Sequence, residues 1–268
     1  MKTAAIQMVS GPDVQANVQR AAALLEQAAA QGAELAVLPE YFCLMGEHDS
    51  DKLAIAEDEG HGPIQRALAD AARRLNLWVV GGTVPLKTDV PQRVSNSVLV
   101  YSPQGIQVAR YDKIHLFAFD NGRERYDEAR VLRAGQTPVA FDLPSRDGHV
   151  WRVGLSVCYD LRFAELYRQL GAELYLVPSA FTHTTGRAHW EVLLRARAIE
   201  NLAYVLASAQ GGTHPNGRQT WGQSLVADPW GAVLAEQAAG EGVVLAECDA
   251  SRLRQCREQL PALSHRRL

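Results

Sequence analysis

The chain lacks an excess of either charge: 27 lysines and arginines stand against 30 aspartates and glutamates, a formal net charge of -3 over 268 residues. With no basic stripe to neutralise phosphates or an anionic bilayer, nucleic acid and membrane surfaces are excluded as partners. No apolar run approaches the roughly 20 residues that cross a bilayer, and the apolar stretch in Met1-Lys-Thr-Ala-Ala-Ile-Gln-Met8 is too short for a secretory leader. Cysteine is scarce, and Cys43, Cys158, Cys248 and Cys256 form no CxxC pair. That excludes a disulfide framework, and with no paired ligand spacing a zinc site is a weak reading. The expectation is a soluble, cytoplasmic protein in reducing surroundings.

What the chain does have is enough apolar content, 47%, to fill one large core. Strand-like and helix-like patterns alternate along it. A strand at Thr3–Met8 precedes a helix over Val14–Gln31, a strand at Leu35–Leu38, a helix at Pro63–Leu75 and a strand at Leu77–Gly81. The later half repeats the theme, with strands near Val150–Val157, Leu174–Val177, Ala203–Ala209 and Gln223–Ala227, a long helix through His189–Asn201 and a closing helix at Ser251–Gln259. This is α/β organisation. The repetition is literal in two places. Gly32-Ala-Glu-Leu-Ala-Val-Leu-Pro-Glu40-Tyr-Phe42 matches Gly171-Ala-Glu-Leu-Tyr-Leu-Val-Pro-Ser179-Ala-Phe181, and Val98-Leu-Val-Tyr-Ser-Pro-Gln-Gly105 matches Ser224-Leu-Val-Ala-Asp-Pro-Trp-Gly231. The spacing predicts two halves related by a pseudo-twofold axis, with the carboxylate of Glu40 in one copy and Ser179 in the other.

Three polar residues stand where a strand gives out. Cys158 ends an apolar run and opens the polar stretch Tyr159-Asp-Leu-Arg162-Phe163; Glu40 follows Leu35–Leu38; Lys113 lies in Tyr111-Asp-Lys-Ile-His115-Leu-Phe117. Each alone has a bland reading: a buried cysteine is usually a small hydrophobe, and a loop glutamate or lysine a solvated charge. A thiol at a strand-to-helix junction, however, lies near free backbone N–H groups that favour thiolate and can hold an oxyanion. Leu38-Pro-Glu40-Tyr-Phe42, Tyr111-Asp-Lys113-Ile-His-Leu-Phe117 and Cys158-Tyr-Asp-Leu-Arg-Phe163 together resemble the Glu, Lys and Cys motifs of the nitrilase (carbon–nitrogen hydrolase) superfamily, over nearly the whole chain.

The resemblance implies a four-layer α-β-β-α sandwich and a single domain spanning 1–268, with a core over about 2–248 and a C-terminal helix and tail at 249–268. It implies a second catalytic glutamate between the lysine and the cysteine. Glu128, seven residues before Gly135, is the candidate, in a charge-rich stretch, Asn121–Arg130, that also reads as a solvated loop. Glu40 would act as general base for Cys158, Lys113 and the backbone N–H of Tyr159 as oxyanion donors, and Glu128 would position groups; ammonia leaves, a thioester forms and water releases the acid. No metal or organic cofactor is required.

Within the superfamily, Ser179–Glu200 and the turn Asp228-Pro-Trp-Gly231 resemble the Nit-type amidase branches, the deaminated-glutathione amidases above all and the ω-amidases next, with Arg187 standing at the usual proline. The substrates so implied are carboxylates bearing a terminal γ-amide, so a pocket cation is expected. Arg187, Arg162 and His183 are the candidates, with Tyr41 and Phe117 as further substrate-binding residues. Arg162 reads equally well as fixing the Cys158 loop through a buried ion pair, and His189 as bonded to backbone beside a packed Trp190. Relatives dimerise through helices beside the cysteine, which Phe163–Leu170 would supply. Rival readings are a cysteine–histidine hydrolase using His115 or His189, and a non-catalytic interaction protein on the same fold.

Overall fold

The computed structural model describes residues 1–267; Leu268, the last residue of the expected tail, lies outside the described residues. The sandwich strands are, in chain order, β1 (Lys2–Gln7), β2 (Leu35–Val37), β3 (Trp78–Val80), β4 (Val94–Tyr101), β5 (Gln107–Asp112) and β6 (Ala140–Pro144). There follow β7 (Val150–Leu155), β8 (Leu174–Ser179), β9 (Tyr204–Ala209), β10 (Ser224–Ala227), β11 (Val233–Gln237) and β12 (Gly242–Glu247). The main helices are α1 (Val14–Ala30), α2 (Pro63–Leu75), α3 (Ala164–Leu170), α4 (His183–Asn201) and α5 (Ala250–Gln259).

Two sheets form. The first runs β12-β1-β2-β3-β4, extended by β5 alongside β4; the second runs β6-β7-β8-β9-β10-β11. Their pairings match strand for strand: antiparallel, parallel, parallel, antiparallel, antiparallel in each. The repeated segments of the sequence occupy equivalent places. One pair forms β2 and β8, and the other forms the β4–β5 and β10–β11 hairpins.

Alternation along the strands assigns the faces. In the first sheet Ala5, Leu35, Val37, Val80, Val98 and Val100 point into the core shared with the second sheet. Their neighbours Ala4, Ile6, Ala36, Val79 and Leu99 point outward against Leu24, Leu25 and Ala28 of α1 and Ile64, Leu68 and Ala72 of α2. Helices α3 and α4 cover the other sheet through Leu166, Tyr167, Trp190, Leu194 and Ala198. The result is the four-layer sandwich. Two of the outer helices carry readable start signals: Asp13 caps α1 by accepting from Ala16 N–H, and proline opens α2. Across the seam the Ser208 hydroxyl donates to the Val37 carbonyl at 2.7 Å, tying one sheet's backbone to the other's. No helix among the described residues is long and apolar enough to cross a membrane.

The one large departure from expectation is α4, which starts at His183 rather than His189. Thr182 caps it by accepting from Thr185 N–H. Two threonines and a glycine in the first turns hide that start from propensity. Gly186 is required there by close approach: a Cβ would sit 2.3 Å from that of Trp221.

Candidate active site

The polar residues at the strand ends converge at the seam between the sheets. Glu40 and Lys113 come from the first sheet, just beyond β2 and β5, and Cys158 from the second, just beyond β7. All three are buried, with Lys113 at 0%, Glu40 at 1% and Cys158 at 8% exposure. An uncompensated charge here would be prohibitive, so pairing decides the arrangement. The Lys113 ammonium donates to Glu40 Oε1 at 2.9 Å and to both oxygens of Glu128 at 2.9 and 2.8 Å. Burial alone would depress this ammonium's pKa, but the Glu128 and Glu40 carboxylates outweigh it and hold the pKa well above the ordinary lysine value.

Each carboxylate is oriented by further donors. Glu40 Oε1 also accepts from Asn96 Nδ2 at 2.9 Å, and Oε2 from the Ala180 N–H at 3.0 Å. Ala180 follows β8, so the repeat that carries Ser179 supplies a backbone donor to the one that carries Glu40. Glu128 opens a short 3₁₀ turn, Glu128–Arg130, after a small hairpin rather than lying in a structureless loop. Its oxygens accept from the Tyr41 hydroxyl at 2.9 Å and the Phe117 N–H at 2.7 Å.

Cys158 occupies the left-handed region, with φ 50°, as does Tyr41 beside Glu40, with φ 59°. For non-glycine residues such conformations cost on the order of 1–3 kcal/mol each, and the surroundings must enforce them. Asp160 does this for the cysteine loop. Fully buried, it accepts from Val157 N–H at 2.8 Å, the Tyr111 hydroxyl at 2.7 Å and His115 N–H at 3.0 Å, and pairs with His115 Nδ1 at 2.7 Å. Arg197 holds the same loop from α4 by donating to the Leu161 carbonyl at 3.0 Å. The expectation that the loop's backbone would favour thiolate does not hold in the resting site: burial, then the Glu40 charge, push the thiol pKa well above its ordinary value despite Lys113. That direction favours the protonated thiol over the thiolate.

A narrow slot opens onto these groups. It is lined by Glu40, Phe117, Glu128, Cys158, Tyr159 and Arg162, together with Phe181, Thr182, Thr185 and Arg218. Phe117 and Arg162 thus face it as expected; Tyr41, His183 and Arg187 do not. Tyr41 is buried behind Glu128. His183 is exposed against Trp221, their rings 5.3 Å apart, over a separate depression, and Arg187 lies exposed on α4. Among the described residues Arg162 makes no ion pair; its guanidinium meets His189 Nδ1 at 3.3 Å and lies over the Tyr159 and Phe181 rings. His189 is therefore bound by a side chain, not by backbone. Neither His115, stacked on Phe163 at 3.6 Å, nor His189 lines the slot. Sequence reasoning missed Asn96 and Arg218. The signal for Asn96 is a run of buried polar residues, Ser95-Asn96-Ser97, inside an otherwise apolar strand; Arg218 sits in a short turn and carries no such signal.

The carbon-nitrogen hydrolase pattern matches residues 2–258. The chain belongs to the carbon-nitrogen hydrolase family. This hydrolase is 39% identical over 269 residues to a deaminated glutathione amidase from Synechocystis, covering 98% of this chain and 97% of that protein. It is 35% identical to the human omega-amidase NIT2, covering 94% and 89%. Among solved structures it superposes on Nit3 of Saccharomyces cerevisiae, a member of branch 10 of the nitrilase superfamily, with a TM-score of 0.85 at 28% identity, covering 97% of this chain and 94% of that one.

Proposed function

We propose that the hydrolase cleaves the amide bond of linear ω-amides of carboxylic acids through a thioester on Cys158, with deaminated glutathione as the leading substrate. The observation that carries this is the buried ammonium of Lys113 bracketed by Glu40 and Glu128, the two carboxylates that line the Cys158 slot. Glu40 takes the thiol proton as sulfur attacks the carbonyl carbon, which a resting, protonated cysteine requires. The developing oxyanion is met by the Tyr159 N–H, which opens a helical turn and so has no acceptor within it, and by one Lys113 N–H turned from its forked contact with Glu128. Glu40 then returns its proton to the departing nitrogen. That nitrogen leaves as ammonia from a primary amide and as an amine from a substituted one. Water, activated by Glu40, attacks the thioester and frees the acid. Glu128, held by Tyr41 and Phe117, keeps Lys113 aimed throughout.

Similarity to the Synechocystis amidase supports the deaminated-glutathione reading. The narrowness of the slot and the likeness to the human ω-amidase favour a second one, small α-ketoglutaramate-type monoamides. The test is kcat/KM, read as acid and amine product, across deaminated glutathione, α-ketoglutaramate, an N-carbamoyl amino acid and a simple nitrile. Preference for the first two is expected and preference for the nitrile overturns the substrate choice. Loss of all turnover in a folded Cys158→Ala protein is the companion result, and retained turnover sinks the thioester route.

The same reading makes the chain one hydrolase domain working as a homodimer in the cytoplasm. Four buried, unpaired cysteines fit reducing surroundings. Exposed Val192 and Ile199, seven apart on α4, with exposed Trp230, fit an apolar contact with a second copy, which light scattering measures.

A further inference from the structure

The slot at Cys158 has a cavity of only about 10 Å³, the room one water needs. A slot this narrow takes the reacting end of an amide, and a longer substrate chain extends out of it. Next to it, sharing the side chain of Arg218, is a second, open cavity of about 850 Å³, lined among others by Gly46–Ser50, Tyr126, Asp127, Arg130 and the turn Asn216–Arg218. Among the described residues, Arg218 is the one side chain that lines both spaces.

Arg218 is also unlike the other cation of the slot. Arg162 is engaged by His189 and two aromatic faces. The Arg218 guanidinium lies over the Tyr126 ring at 5.3 Å and touches the Met45 sulfur at 3.8 Å, and no carboxylate among the described residues is within ion-pair reach of it. Its Nε is buried without any partner. An unmet buried donor on a charged group costs at least about 1–3 kcal/mol, which a protein tolerates where a ligand completes the bond. Nε together with one terminal nitrogen forms the planar fork that accepts a carboxylate in two parallel hydrogen bonds. Glu47, Asp49 and Asp127 on the outer walls, mixed with Arg125 and Arg130, leave that space without a single sign of charge. The recognition of an anion is thereby concentrated at Arg218.

We propose that Arg218 is the specificity residue of the site, binding a carboxylate of the linear amide substrate where its chain passes from the slot into the outer cavity. The inference rests on the amide-hydrolase reading above and names the group that selects acids over neutral amides.

The experiment compares two primary amides of equal carbon count, 4-carbamoylbutanoate and pentanamide, on the wild type, Arg218→Gln and Arg218→Lys. The ratio of kcat/KM for the acid over the neutral amide is expected to fall at least tenfold in Arg218→Gln, through KM, and to recover in part in Arg218→Lys. An equal change for both amides, or no change for the acid, overturns the proposal while leaving amide hydrolysis intact. If the wild type turns over neither amide, it is the hydrolase reading that fails, and the binding claim is then read without chemistry. Glutarate is titrated into Cys158→Ala and into Cys158→Ala/Arg218→Gln by calorimetry. Binding lost only in the double variant supports the assignment, whereas equal binding or none in the first overturns it.

Discussion

Lys113 commits all three of its N–H donors to two carboxylates inside the protein. Removing it would leave Glu40 and Glu128 facing each other without a counter-charge. Lys113→Ala is therefore expected to cost about 3–5 kcal/mol of stability, seen as a lower denaturant midpoint, as well as activity. Glu40→Gln separates chemistry from stability, because the amide keeps an acceptor for Lys113 and Asn96 but cannot take the thiol proton. Turnover should fall by roughly 10²–10⁴ with the fold intact, and a variant with near wild-type kcat would reassign the base. The motif residues Glu40, Lys113 and Cys158 are legible because each breaks an apolar pattern at a strand end. Their helpers are less so: the Ala180 N–H is backbone chemistry that any residue could supply, and Arg218 acquires its meaning only from the two spaces on either side of it.

At the scale of elements, the ends of the strands matter more than their middles. Gly82, with φ 38°, passes so close to the end of β2 that a Cβ there would meet the Pro39 carbonyl oxygen at 2.1 Å. Pro39 precedes Glu40, so Gly82→Ala should both lower stability by about 1–3 kcal/mol and displace the carboxylate. A drop in kcat exceeding that of an equally destabilising substitution in α1 is the result to look for. Strands and helices with strong periodicity, such as α2, are readable to the residue. The first turns of α4 are not, since Thr184 bonds Glu124, Thr185 bonds Thr182 and Gly186 makes room for Trp221 of the Gly211–Trp221 hairpin, contacts that helix propensity does not reveal. The same hairpin carries Arg218, so the stretch that propensity misreads lies beside the residue assigned to specificity.

For the whole molecule, the buried thiols set an alkaline limit. Burial pushes the Cys43 and Cys248 thiols up to about 12, well above the ordinary thiol range. A group whose folded pKa is raised stabilises fully below its unfolded pKa and loses that contribution as pH climbs through the folded one. Between about pH 9 and 12 each such thiol should remove about 1.4 kcal/mol per pH unit. Urea midpoints measured across this window are expected to fall, and less steeply in Cys43→Ala/Cys248→Ala than in the wild type; parallel slopes would assign the loss to the buried tyrosines. The pseudo-twofold plan is legible because both repeats survive in the residues that end β2 and shape the hairpins. The face-to-face stacking is less so, because small residues such as Ala5 and Ala207 help fill the core between the sheets, and small residues carry little pattern.

Glu40 belongs to one half of the duplicated architecture and is steered by the Ala180 amide of the other, while Cys158 stands on that other half. On the chemistry proposed above, the alignment of base and nucleophile is thus a vernier between two plates. Neither plate holds a working site by itself, and sliding one past the other by a fraction of an ångström would change the reaction rate before any strand lost a hydrogen bond. On that reading the catalytic constant is a gauge of how two similar half-sandwiches sit against each other, read in reciprocal seconds.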